Sequence, residues 1–298
     1  MSKKKFKYIP IKTKYLRKNE DYITIIIDSL KEYSENNNLK DGDILVISEK
    51  FISTGEGRLI DEKDIKPSIL GYFCYYWSKY LWGYILGPLL KTRPDRIKNL
   101  RKMPKMETIK HKDLVIKYVG LKYALKPASE GGVDLTNVPG TYASLLPENP
   151  TESCKKINHV VKSKLGGDIG VIIIDTDATY RFLNYYITAL PYAIDGIIAG
   201  VGVLGYIVGK LANLLNIGGL VGPTPIGCYG KNLSNYTIEE ILEISKFSDR
   251  LQSPNIKSIH DTLKKYNTFT ITEEILEKVE HYPIVLVKVE DDENNQRK

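Results

Sequence analysis

Cysteine is scarce in this 298-residue chain: three residues, Cys74, Cys154 and Cys228, far apart and odd in number. Neither a disulfide framework nor a zinc site is indicated, and a reducing compartment fits best. The opening MSKKKFKYIPIKTKYLRK has basic residues but lacks the apolar run of a cleavable signal, so a cytoplasmic location is expected. No aromatic–basic interleaving and no nucleic-acid module signature occurs, which sets nucleic acid aside as a partner. Internal repeats are absent, as is a convincing nucleophile arrangement. The four histidines, His111, His159, His260 and His281, sit in polar or helical settings and read as surface residues.

What is present suits a folded protein of one large domain or two small ones, since 42% hydrophobic content can bury a real core. The net charge of +7 is uneven, concentrated in residues 3–18 and again from Lys91 to Lys112. Such runs attract phosphate-bearing ligands or anionic lipid, or form a solvated lysine-rich face.

Apolar spacing predicts a helix from Tyr22 to Leu39, a turn at Asp41-Gly42, and a buried strand over ILVISEKFIS. DLVIKYV (113–119) reads as a further strand. A helix is expected over NPTESCKKINHVVKSKL, starting at Asn149-Pro150 or Thr151 and stopping at Gly166-Gly167. GVIIIDTDATYR is the clearest strand. TIEEILEISKFSDRLQ reads as an amphipathic helix capped by Asn235 or Thr237 and ended by Ser253-Pro254. A last helix TEEILEKVEHY, a short strand PIVLVKV and a polar tail over 290–298 close the chain.

Two stretches are unusually apolar. Residues 69–90 carry one charge, Lys79, and seven Tyr or Trp side chains. The length could span a bilayer, but the aromatic load and the basic run that follows suit a helix or hairpin resting on an anionic membrane surface. The competing reading is hydrophobic cover or an oligomer contact. Residues 187–208 contain Pro191, Asp195 and several glycines, which fit buried backbone around a site better than a transmembrane helix.

Chemistry points to the acids. Asp175, Thr176 and Asp177 supply two carboxylates and a hydroxyl at a predicted strand end; if the strand continues, alternation turns both acids to one face with Thr176 opposed, and if the chain turns at Asp175, Thr176 joins the same cluster. Hard cations such as magnesium use one or two carboxylates, with phosphates and water completing the shell. A plain turn or cap is the competing reading of D-T-D. In GGVDLTNVPG (131–140), Gly131 and Gly132 would admit a bulky anion, while Asp134 and Asn137 offer a metal ligand and an amide. NIGGLVG (216–222) reads as a glycine-rich loop able to surround phosphates, although it fits no P-loop and lacks that motif's lysine. Together these suggest metal-assisted handling of phosphate.

The segments DGDILVISEKFISTGEGR (41–58), GGVDLTNVPG with LLPENP behind it (131–150) and VIIIDTDATYR (171–181) resemble, in order, three signature segments of the coenzyme F420 gamma-glutamyl ligases. The similarity covers most of residues 20–250. It implies an α+β fold of mixed sheets with flanking helices, the coenzyme F420 gamma-glutamyl ligase-like fold. It places a catalytic domain over 1–253, with an aromatic and basic insertion at about 66–112 and a C-terminal extension over 254–298. It further implies a homodimeric, GTP-dependent ligase with two Mg²⁺ or Mn²⁺ ions. Such a ligase joins L-glutamate to a carboxylate-bearing, deazaflavin-type cofactor precursor through an acyl phosphate. By match, Asp134 and Asp175 would bind one metal and Thr176 the other. Asn137, Glu49, Lys50, Thr54, Gly218 and Gly219 would lie against the nucleotide.

The departures from the family pattern are specific. Thr54 stands where the family has a lysine, Gly218 where an acidic or amide metal ligand is expected, and Thr13 to Leu16 replace a leucine-proline nucleotide motif. Asp177, Asp195 and Arg181 could compensate. Three rivals to the glutamyl ligase follow: an amide ligase for another acid, a membrane-surface binding protein that kept the fold but lost catalysis, and a metal-dependent phosphate-ester enzyme.

Overall fold

A computed structural model describes residues 5–34, 38–136, 138–252 and 272–290. In chain order its elements begin β1 (Lys5–Thr13), α1 (Tyr22–Ser34), β2 (Ile44–Ser48), α2 (Glu49–Gly55) and β3 (Leu59–Asp61). Next come α3 (Ile69–Tyr76), a π-helical segment Trp77–Leu86, α4 (Gly87–Leu89), α5 (Pro94–Lys102), α6 (Lys105–Tyr118), α7 (Leu121–Ala124) and β4 (Tyr142–Ser144). Then follow α8 (Pro150–Leu165), β5 (Gly170–Phe182), β6 (Tyr185–Thr188), β7 (Ile197–Ile198), α9 (Val203–Leu214) and β8 (Gly218–Tyr229). Finally, α10 (Ile238–Gln252) and the short helix Glu273–Glu277 precede β9 (His281–Glu290). The class is α+β, with mixed sheets and flanking helices, as expected.

The chain divides into two units. The first comprises Met1–Arg58, Pro147–Asp175 and Pro225–Lys298. Its strands run in the order β1, β9, β2 and the start of β5. β9 is antiparallel to both neighbours, while β2 and β5 are parallel from Ile44↔Gly170 to Ser48↔Ile174. Ile44–Ile47, Val171–Ile173 and Ile284–Val287 are all 0% exposed. Unbroken β-branched runs of this kind suit strands covered on both faces, each side chain contributing roughly 1.5–3 kcal/mol on burial. α10 packs on β1, β9 and β2, and α1 packs on β1 and α8.

The helix signals in this unit are met by bonds. Asn149 accepts from the Glu152 N–H at 3.1 Å, Pro150 opens α8, and Gly166 ends it with φ +80°. Thr237 and Glu240 form a reciprocal capping box at α10, at 3.2 and 2.8 Å. Three expectations need correction. The first helix is described over Tyr22–Ser34, and Leu39 is not helical. ILVISEKFIS is half strand and half helix, because Ser48 ends β2 and Glu49–Gly55 coil at once into α2. TEEILEKVEHY forms only the helix Glu273–Glu277, and His281 already belongs to β9. The predicted stop at Ser253-Pro254 and the tail beyond Glu290 lie outside the described residues.

The second unit comprises Leu59–Leu146 and Thr176–Thr224. β3 and β4 pair antiparallel, Leu59 opposite Ser144. The remainder of β5 turns through Leu183 (φ +54°) into antiparallel β6, β6 runs parallel to β7, and β8 pairs with β5. DLVIKYV is not a strand: it is the end of α6, whose Ile109, Leu114 and Val115 are fully buried. Packing of one helical face overrides the local β-propensity of a short valine–isoleucine run.

Residues 69–89 are helical throughout. Cys74 enters one core cluster, and Trp82 and Leu90 a second, in which the Trp82 and Tyr206 rings lie 5.2 Å apart. Among the described residues no helix is long and apolar enough to cross a membrane.

Candidate functional site

In the first unit the parallel register defines a carboxylate pair. β2 and β5 pair as far as Ser48 and Ile174, so Glu49 and Asp175 each follow the last paired residue: Glu49 opens α2 where β2 ends, and Asp175 lies where β5 runs on past its parallel partner. That end of a parallel pair is where open sheets commonly receive ligands. Glu49 is 6% exposed and Asp175 3%. Ser48 donates to Glu49 at 3.2 Å. Lys50 follows on α2, half-buried, and Thr54 near the helix end is buried. The Thr54 carbonyl accepts from the Asn19 and Gly57 amides, at 3.1 and 3.0 Å. Beyond it, Glu56 accepts from the Glu148 N–H and the Ser153 hydroxyl, at 2.9 and 2.8 Å, tying the EGR segment to LLPENP.

The acids of D-T-D do not end a strand, since β5 continues to Phe182. The expected alternation holds: Asp175 and Asp177 are buried, and Thr176 between them is exposed.

In the second unit Asp177 ends a chain of buried charges. Lys126 donates to its carboxylate at 2.8 Å and to the Ser129 carbonyl at 2.5 Å. The Lys126 carbonyl in turn accepts from Lys112 at 2.7 Å. Lys112, fully buried, spends its other donors on the Ala124 carbonyl at 2.8 Å and on Glu130 at 2.5 Å. His111 reaches Glu62 at 2.6 Å and Glu130 at 3.4 Å. Burial alone would lower the His111 pKa, but Glu130 and Glu62 outweigh it and raise it to about 9. Burial would raise the Glu130 carboxyl, yet Lys112 and His111 hold it well below the usual range. For Asp177, burial raises the pKa, as do the nearby charges of Glu130 and Asp134, and Lys126 opposes them. His111 is therefore a largely covered residue paired with two acids, and not the surface residue expected.

Asp134 sits beside this chain. Its backbone exchanges two hydrogen bonds with Ser144, at 3.0 and 2.8 Å, and its carboxylate accepts from the Thr136 amide at 2.9 Å and hydroxyl at 2.7 Å. Asn137 lies outside the described residues. Gly131 and Gly132 do adopt positive φ, +60° and +77°, but their α-carbons face protein. A Cβ there would meet Val119 at 2.9 Å and Leu146 at 2.6 Å. NIGGLVG is likewise no loop around a ligand: Gly218 and Gly219 open strand β8. A Cβ on Gly218 would stand 2.0 Å from the Arg181 carbonyl, so the glycine serves close strand approach.

Among the described residues no three His, Cys, Asp or Glu side chains are arranged to hold a metal by themselves. The buried oxygen donors Glu49 and Asp175 fit a hard cation that takes one or two carboxylates and completes its shell from phosphate and water. Asp134, Asp175, Thr176, Glu49, Lys50 and Thr54 were legible as candidates. Lys112, Lys126, Glu130 and His111 were missed, although Lys126 and Glu130 flank the glycine turn in KPASEGGVD.

The family model described as F420-0:Gamma-glutamyl ligase matches residues 10–243. An uncharacterized protein of Methanocaldococcus jannaschii is 55% identical over 284 residues, covering 95% of this chain and 96% of that protein. Coenzyme F420:L-glutamate ligases of Methanopyrus kandleri and Methanothermobacter thermautotrophicus are each 29% identical, over 175 and 164 residues. Those alignments cover 56% and 53% of this chain, and 58% and 56% of the two ligases.

Proposed function

This chain belongs to the F420-0:gamma-glutamyl ligase family, and from that premise we propose that it joins L-glutamate to a deazaflavin-type, carboxylate-bearing precursor at the expense of GTP. The supporting observation is the register that sets buried Glu49 and Asp175 just beyond the last paired residues of the parallel pair β2 and β5. Glu49 and Asp175 would hold a Mg²⁺ or Mn²⁺ ion, and by family match Asp134 and the Thr176 hydroxyl would also serve as metal ligands; such ions when bound neutralise phosphate charge. In the reaction a carboxylate oxygen of the precursor attacks the γ-phosphorus and GDP departs. The glutamate amine then attacks the acyl carbon, phosphate leaves, and the nitrogen loses a proton. The chain's own residues position these groups. Lys50 and Asn137 would contact the nucleotide, and the buried chain from Glu62 to Lys126 fixes Asp177 next to Thr176. The working form would be a cytoplasmic homodimer.

One observation favours a second reading, an amide ligase for a different acid. The family pattern implies an acidic or amide ligand where Gly218 stands, and the surroundings of Gly218 admit no side chain. Phosphate release separates the readings. Release from GTP that requires both glutamate and the F420 precursor supports the first. Release with glutamate and only some other acid supports the second. GTP hydrolysis indifferent to any amine overturns both in favour of a phosphate-ester enzyme.

A further inference from the structure

We infer that the outward face of residues 69–106, in the second unit, docks on the surface of an anionic lipid bilayer, lying along it and not across it. The inner side of this segment is committed to the core through Cys74, Trp82 and Leu90. Its other side leaves Ile69, Phe73, Ile85 and Leu89 each more than half exposed. Between them runs a column of tyrosines. Spaced four apart across the end of α3 and the π-helical segment, Tyr76, Tyr80 and Tyr84 stack with centroids 5.8 and 6.1 Å apart. Tyrosine rings flanked by aliphatic side chains match the boundary between acyl chains and headgroups.

Charge selects the occupant. Residues 69–106 carry eight basic side chains against one acid, Asp95, a net +7 equal to that of the whole chain. The cations rim the tyrosines: the Arg101 guanidinium lies 4.4 Å from the Tyr84 ring, and the Lys105 ammonium 5.5 and 5.6 Å from those of Tyr72 and Tyr76. Asp95 is paired with Arg93. A second copy docked on this face by a two-fold would bring two such positive patches together, which disfavours self-association. A nucleic-acid backbone would satisfy the cations but leave Ile69, Ile85 and Leu89 in water. An anionic membrane surface satisfies both halves.

The test is flotation of the full chain with vesicles of phosphatidylcholine, alone or mixed with phosphatidylglycerol, at low and high salt. Binding is expected to the mixed vesicles only and to weaken as salt rises. The exposed pair Lys98→Glu/Lys102→Glu should lower affinity at least roughly tenfold. Ile85→Ser/Leu89→Ser should also lower it, with the circular dichroism spectrum unchanged, because these side chains lie outside the core. Equal binding to neutral vesicles, no binding to mixed vesicles at low salt, or self-association that Ile85→Ser/Leu89→Ser abolishes would each overturn the inference. It stands apart from the ligase reading, since neither variant touches the residues proposed for turnover.

Discussion

Replacing Lys112 by methionine removes a positive charge from a position with no exposure. Methionine reproduces much of the apolar stem but supplies none of the three donors that serve the Ala124 and Lys126 carbonyls and Glu130. Breaking a buried pair by deleting one partner costs about 3–5 kcal/mol, most of it the burden of the charge left behind. His111 remains as a partial partner at 3.4 Å, which argues for the lower half of that range, about 3–4 kcal/mol. Urea unfolding of Lys112→Met, Glu130→Gln and the double variant would measure this. The double variant should be more stable than the two single losses added together, with a coupling of about 1–3 kcal/mol. A Lys112→Met loss under about 1 kcal/mol, or simple additivity, would refute the picture of an internal charge chain.

The folded state raises the His111 pKa from 6.5 to about 9, so its charged ring contributes stability in full below pH 6.5 and loses it as pH rises through 9. The loss is on the order of 3 kcal/mol, and melts of His111→Gln across that window should lack the slope. Asp175→Asn and Glu49→Gln should each abolish the cation-dependent rise in melting temperature with GTP; an unchanged rise would remove them from the metal site. Asp134→Ala should do likewise while costing only about 1 kcal/mol of stability, because its carboxylate is tied locally to Thr136. Gly218→Ala, which drives a methyl into the Arg181 carbonyl, should destabilise by more than about 1 kcal/mol in thermal melts.

Local chemistry made some elements legible. Asn149-Pro150 with Gly166, and Thr237 with Glu240, are self-contained signals whose bonds form within a few residues. The run Val171 to Ile174 needed only its unbroken apolar character. DLVIKYV misled because the residue ahead of it on the buried face, Lys112, is charged; its helical stripe is visible only once Glu130 and two carbonyls are known to receive it. NIGGLVG misled because glycine signals close approach without naming what approaches, here the Arg181 carbonyl. Glu49 and Asp175 were each singled out. That they stand just beyond the same parallel pairing follows from a register between segments more than a hundred residues apart, which no local pattern encodes.

The placement of β9 bears on how the chain assembles during synthesis. Residues 281–290 form the strand between β1 and β2, so the first two strands in chain order have no direct partnership without them. As the polypeptide leaves the ribosome, β2 can zip onto β5, while Lys5–Thr13 must wait for the final strand. A gene shortened at residue 243, where the family match stops, would leave Ile44–Ile47 as a raw, sticky margin, and its product should clump.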